Sequence, residues 1–377
     1  MPQVLVGDGY SHGNELVLGI ISDPREARRR QRIRETWLPT ESHLVISRFV
    51  VGNSSCKSAV HEAVAAEAIT KSDVALVPTG DCAKWFSALK VHAWFVLAHR
   101  SWPRAKWFAK MEDDGILRVP ALLEDLSSLS RRMHGSPAVP VYVGMMQWAG
   151  SCTLSEERRD GHEQKCAGCW GGWFSSFGKP GMMRKWERAR YRIGPPTSNC
   201  ASLIARVGDP IDCPQARLAP FACGPLDVRS NALASSMARC HYADRYFDAL
   251  SRRSVATGSM CASADGSQGH AVSECMRSGR YVVADIGRAR WSVGSLNTQG
   301  LKEWRATGAA NHTVVVHSVK TGLSHVWKRL WGHLMQTAYM PPDRLLVMEV
   351  TWPANTTSWP QVRGLPSTAP LSAMMHQ

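Results

Sequence analysis

Residues 107–114 read Trp-Phe-Ala-Lys-Met-Glu-Asp-Asp, three adjacent acids (Glu112, Asp113 and Asp114) closing an apolar run. Clustered carboxylate oxygens are hard ligands that suit Mg2+ or Mn2+, and a cation held there would neutralise a pyrophosphate. Three acids alone also make a solvated turn ahead of a helix. His317 closes the late apolar run Val314-Val315-Val316, where a lone histidine by itself reads as a buried core residue. Asp265, in Ala264-Asp265-Gly266-Ser267, reads by composition as a turn aspartate. Cys166-Ala167-Gly168-Cys169 has the form of half a zinc site, yet no second closely spaced Cys or His pair follows, which leaves a loop disulfide or two free thiols.

The elements that must position these residues follow from periodicity. Glu15 to Ser22 reads as a buried strand, and Asp23-Pro24-Arg25-Glu26 supplies an N-cap, a first-turn proline and a capping glutamate for a helix from Arg25 to Trp37. Strand and helix then alternate: strand 44–51, helix 58–70, strand 74–77, helix 83–99, strand 106–111, helix 119–132 and strand 141–148. Such alternation predicts an α/β domain with a mainly parallel sheet flanked by helices, where ligands bind beyond the carboxyl ends of strands. Glu112-Asp113-Asp114 occupies such a place. From about 149 to 220 Gly, Pro, Cys and Arg are frequent, predicting loops or an insertion. Regularity returns with 221–230, a helix from about 231 to 241 and strands at 281–286 and 313–319, and an irregular Pro, Thr and Ser-rich tail is expected after Pro341.

Seven segments, in order, carry a resemblance. They are Arg32-Ile33-Arg34-Glu35-Thr36-Trp37; Phe49-Val50-Val51-Gly52; Asp81 to Lys90 (DCAKWFSALK); Lys110-Met111-Glu112-Asp113-Asp114; Phe221 to Ser230 with Ala232-Leu233-Ala234; Ala264-Asp265-Gly266 with Gly269; and Val314-Val315-Val316-His317. Together they resemble the β-1,3-galactosyltransferase and N-acetylglucosaminyltransferase family, the hexosyltransferases of glycosyltransferase family 31. The resemblance implies a GT-A fold over 14–340, with a nucleotide-sugar half at 14–148, a loop-rich insertion at 149–220 and an acceptor and catalytic half at 221–340. It further implies an inverting, metal-dependent transfer of galactose or N-acetylglucosamine from a UDP-sugar to a glycan acceptor in β-1,3 linkage. Mn2+ would be held by the DxD-like triplet through Asp114 with His317, Glu112 and Asp113 would lie toward the nucleotide, Arg34 and Lys90 would serve as donor-site cations, and Asp265 as base. Three departures from the family pattern stand out: Glu112 stands for the first Asp of the triplet, Gly115 for a bulky apolar residue, and Leu226-Asp227 interrupt a Gly-rich segment. Ala264 also replaces the Glu before Asp265.

Composition bounds the class. The 377 residues are 44% hydrophobic and carry a formal charge of +14, which suits an anionic partner. The chain is neither disordered nor fibrous. Lys and Arg are dispersed, with Arg28 to Arg30 the only short run and no RNA-binding signature, so nucleic acid is not the expected partner. An inactive relative, a lectin-like module that keeps the fold, or a basic protein for acidic polysaccharide or RNA are the rival readings. Eleven cysteines leave at least one thiol unpaired within the chain, and the triplets at Asn53, Asn311 and Asn355 fit the glycosylation pattern. No apolar stretch approaches the roughly 20 residues of a spanning helix, so a membrane anchor is expected only outside this chain. The family's habit implies the Golgi lumen.

Overall fold

The computed structural model describes residues 15–38, 44–54, 58–80, 87–132, 138–151, 170–174, 219–257, 264–277, 279–286, 291–292, 311–317, 324–340, 346–351 and 361–364. The first half alternates β1 (Leu16–Ile21), α1 (Ala27–Arg34), β2 (Val45–Ser54), α2 (Ser58–Lys71), β3 (Val74–Gly80), α3 (Ser87–Ser101) and β4 (Trp107–Glu112). Next come β5 (Ile116–Leu117), α4 (Val119–Arg132), β6 (Val141–Ser151) and β7 (Trp170–Phe174). The second half holds β8 (Ala219–Ser230), α5 (Asn231–Ala238), α6 (His241–Thr257), α7 (Ala264–Cys275), β9 (Arg280–Asp285), β10 (Trp291–Ser292), β11 (Val315–Val316), α8 (Ser324–Gln336), β12 (Leu346–Thr351) and β13 (Gln361–Gly364).

One ten-stranded sheet runs β13-β12-β9-β6-β8-β4-β1-β2-β3, with β7 paired to β6. Among its described strands β7, β8 and β12 run against the others, so the sheet is mixed and mostly parallel, as the alternation predicts. The architecture is an α/β fold with a mixed, mostly parallel central sheet flanked by helices.

The near-continuous apolar strands reflect burial on both faces. Leu16, Leu18 and Ile20 of β1 join Trp107, Ala109 and Met111 of β4 in a core closed by Ile33, by Leu122, Leu126 and Leu129 of α4, and by Trp327 of α8. Val17 and Phe108 face the other way, onto Trp94 and Phe95 of α3. Each fully buried leucine contributes about 2 kcal/mol. Gly19 is fixed by packing, because a Cβ there would lie 2.2 Å from the Trp94 indole.

Several boundaries differ from expectation. The predicted capping box does not form: Asp23 accepts from the backbone N–H and the guanidinium of Arg25, an Asx-type turn, and α1 begins after Glu26 without a side-chain cap. The helix after β8 stops at Ala238, and α6 starts three residues later. Asp265 lies in the first turn of α7, not in a turn between elements. The tail expected to be irregular contributes β12 and β13 to the sheet edge, and β7 lies within the span expected to be loops. Of the late strand expected at 313–319, Val315–Val316 form β11, and 318–319 lie outside the described residues. The Cys166–Cys169 motif and residues 81–86 lie outside the described residues.

Candidate metal and nucleotide site

β4 delivers the acidic triplet to the carboxyl edge of the sheet. The chain turns at once, with the Gly115 N–H donating to the Glu112 carbonyl at 3.2 Å, and enters β5. β11 pairs antiparallel with β5, Val316 opposite Ile116 and Val315 opposite Leu117, so the residue after β11 returns beside the triplet. That residue is His317. Its Nε2 lies 3.0 Å from Glu112 Oε2 and 3.3 Å from Asp114 Oδ1. One ligand atom from each of Glu112, Asp114 and His317 fits within 4.8 Å of the others.

The electrostatics are those of a cation site. Burial disfavours the charged Glu112, but Lys110 and His317 outweigh it and hold its carboxyl at about 2. Burial likewise opposes the imidazolium of His317, and Asp114 and Glu112 outweigh it, raising that group to about 9. The two carboxylates thus favour positive charge at this position, and a metal cation would take the place of the ring proton, since only the neutral imidazole can ligate. Asp114 Oδ1 is buried without a hydrogen bond, its approach to His317 being an ion pair only. An oxygen of that kind, beside a second carboxylate and an imidazole, fits a divalent cation of intermediate hardness.

Asp113 points elsewhere. Its carboxylate accepts from Ser22 Oγ at 2.8 Å and from Arg29 Nη1 at 2.7 Å, and burial pushes its carboxyl up against their pull. Lys90 is nearby, buried, and donates to the Ser22 carbonyl at 3.0 Å. Lys110 donates to the Gly224 carbonyl at 2.7 Å and approaches Glu112 at 3.7 Å. Gly224 begins a bulge in β8, where the register jumps from Gly144 opposite Asp227 to Met145 opposite Cys223, and its φ of 79° is the left-handed conformation glycine tolerates.

Arg34 is not brought to the triplet. It forks onto Asp73 at 2.7 Å through two nitrogens, donates to Glu67 at 2.8 Å, and covers the Phe49 ring. Asp73 precedes β3, three strands across the sheet from β4 and hence roughly 14 Å away. The arginine that does reach the triplet is Arg29, in the first turn of α1. Its signal in the sequence was the Arg28 to Arg30 run shortly behind a strand terminus.

Two departures from the family pattern find reasons in packing. Met111 fills the space at Gly115, where a Cβ would meet its Cε at 2.4 Å. Asp227, fully buried, pairs with Arg229 at 2.9 Å, and Arg229 lies over the Phe95 ring at 3.7 Å while donating to Gln268. Asp265 sits one turn before Gln268, and its side chain lies outside the described residues.

Comparison with known proteins bears directly on this geometry. Residues 28–169 match the model of the galactosyltransferase family. The resemblance read from the sequence is thereby shown over residues 28–169, from α1 through the triplet, and this segment supports a glycosyltransferase. His317 and Asp265 lie beyond that segment. No curated protein matches. Among solved structures, mannose-1-phosphate geranyltransferase from Thermus thermophilus aligns at 13% identity over 66% of this chain and 66% of its own, with a TM-score of 0.26. No helix among the described residues is long and apolar enough to cross a membrane.

Proposed function

We propose that the chain is a metal-dependent, inverting β-1,3-glycosyltransferase that moves galactose or N-acetylglucosamine from a UDP-sugar to a glycan acceptor. The observation that carries the reading is the convergence of Glu112, Asp114 and His317 at the carboxyl edge of β4, in a chain whose residues 28–169 match a galactosyltransferase family. Asp114 and His317 would hold Mn2+, with Glu112 beside them. When bound, the ion supplies charge stabilisation for a departing diphosphate. The chain's own residues do the rest: Lys110 and Lys90 add buried positive charge beside the triplet, and Asp265, in the first turn of α7, takes the proton from the acceptor hydroxyl.

The division into a nucleotide half (14–148), an insertion (149–220) and an acceptor half (221–340) belongs to the same proposal. A disulfide between Cys240 and Cys275 supports an oxidising, luminal compartment such as the Golgi. Titration of UDP into the protein with Mn2+ and then with EDTA tests the reading. Heat of binding that requires the metal supports it, and equal or absent binding in both conditions removes it.

A further inference from the structure

The central acid of the triplet is built into the protein rather than presented to a ligand. Glu112 and Asp114 turn toward His317, while Asp113 turns to the opposite partners, and each of its oxygens receives a charge-assisted or buried hydrogen bond, from Ser22 at 2.8 Å and Arg29 at 2.7 Å. Ser22 is 1% exposed and Asp113 6%.

The direction of the Ser22 hydroxyl is itself fixed. Arg30 Nη1 donates to Ser22 Oγ at 3.1 Å, and a guanidinium can only donate, so the hydroxyl proton is left for an acceptor. The nearer acceptor is Asp113, at 2.8 Å against 3.3 Å for the Asp23 carbonyl. Arg30 is held in turn by Glu67, at 2.6 Å. The chain of bonds Glu67, Arg30, Ser22, Asp113 therefore ties the turn after β4 to α1 and α2, and Lys90 secures the Ser22 carbonyl from α3.

We propose that Asp113 is a positioning residue whose bond to Ser22 aims Glu112 and Asp114 at the cation position, so that the metal grip of the site depends on a hydroxyl that does not touch the metal. The inference rests on the metal-site reading above. Outer partners that orient metal ligands change affinity by about ten- to a hundredfold when removed.

The experiment compares wild type, Ser22→Ala, Asp113→Asn and the double variant. Mn2+ affinity without nucleotide is read by electron paramagnetic resonance, and the His317 imidazole resonances by NMR in the metal-free protein at one pH. Ser22→Ala, the gentler change, keeps the Arg29–Asp113 pair and so the fold. The expected result is Mn2+ binding weakened about ten- to a hundredfold in each single variant, little further loss in the double variant, and displaced His317 resonances in all three. Wild-type Mn2+ affinity and unmoved resonances in Ser22→Ala would overturn the positioning role. Loss confined to UDP-sugar binding in Asp113→Asn would overturn it in favour of direct donor contact. A wild type that binds no Mn2+ defeats the metal reading instead, and the displaced resonances then decide the positioning role alone.

Discussion

Gly269 sits inside α7, where helix propensity and packing predict opposite signs. Replacing a mid-helix glycine with alanine stabilises an isolated helix by about 1 kcal/mol. Here a Cβ would stand 2.3 Å from Phe221 Cβ, 2.6 Å from the Pro220 carbonyl and 2.9 Å from Phe221 Cα. These atoms belong to the stretch of β8 that pairs with Gln147 and Trp148 of β6, and backbone and Cβ atoms have no rotamer to yield. Reaching an ordinary contact of about 3.4 Å requires α7 to lift by roughly 1 Å, and overpacking of this kind costs about 1–3 kcal/mol. The upper end applies against backbone, so Gly269→Ala is expected to destabilise by about 2 kcal/mol net, measured by urea unfolding. The same lift moves the first turn of α7, which carries Asp265, the base of the proposed function; if that proposal holds, a displacement of about 1 Å there costs on the order of a hundredfold in turnover. A Gly269→Ala protein that is more stable than wild type would refute the packing argument.

Other perturbations follow from the same structure. Glu67→Gln strips Arg30, whose side chain is 0% exposed, of its carboxylate and should cost about 3 kcal/mol. Arg30 and Arg34 hold the Glu67 carboxyl below 4.5 despite burial, so its contribution is present above pH 4.5 and lost as pH falls through the folded value; the gap between wild type and Glu67→Gln in urea midpoints should close on acidification, and a gap that widens contradicts the pairing. Cys240→Ser opens a bridge spanning 35 residues, for which loop entropy predicts a loss of about 4 kcal/mol. An unfolding midpoint insensitive to that change or to dithiothreitol would mean that the bridge does not form.

Much of the frame was legible because burial on two faces writes long apolar strands. Leu16 to Ile21 and Trp107 to Met111 declare themselves in that way, and the position of the triplet after β4 followed from strand order alone. Among the helices missed, α7, Ala-Asp-Gly-Ser-Gln-Gly, buries Ser267, Gln268 and His270 instead of leucines, whereas α8, with Trp327, Leu330 and Leu334 buried at helical spacing, was legible and went unread. β12 and β13 were hidden by the surrounding Pro and Thr, which speak for irregularity locally while β9 offers an edge to pair. At the site, His317 was found through the family resemblance, in which a late strand ends in histidine; its place after an apolar run spoke by itself for a core residue. Arg29 and Arg34 differ only by where a helix of 1.5 Å rise carries them, and nothing in the residue type distinguishes the one that meets Asp113 from the one that meets Asp73. The Ser22 bond is a long-range contact between the end of β1 and the turn after β4, invisible until the strands are set side by side.

The measurement that tests the central claim most directly is calorimetric titration of UDP into wild type, Asp114→Ala and His317→Ala, each with Mn2+ and with EDTA. The account predicts binding by wild type in Mn2+ alone and loss of that binding in both variants, since they remove the buried unbonded oxygen and the imidazole that converge on one position. Metal-dependent UDP binding that survives both substitutions would contradict it.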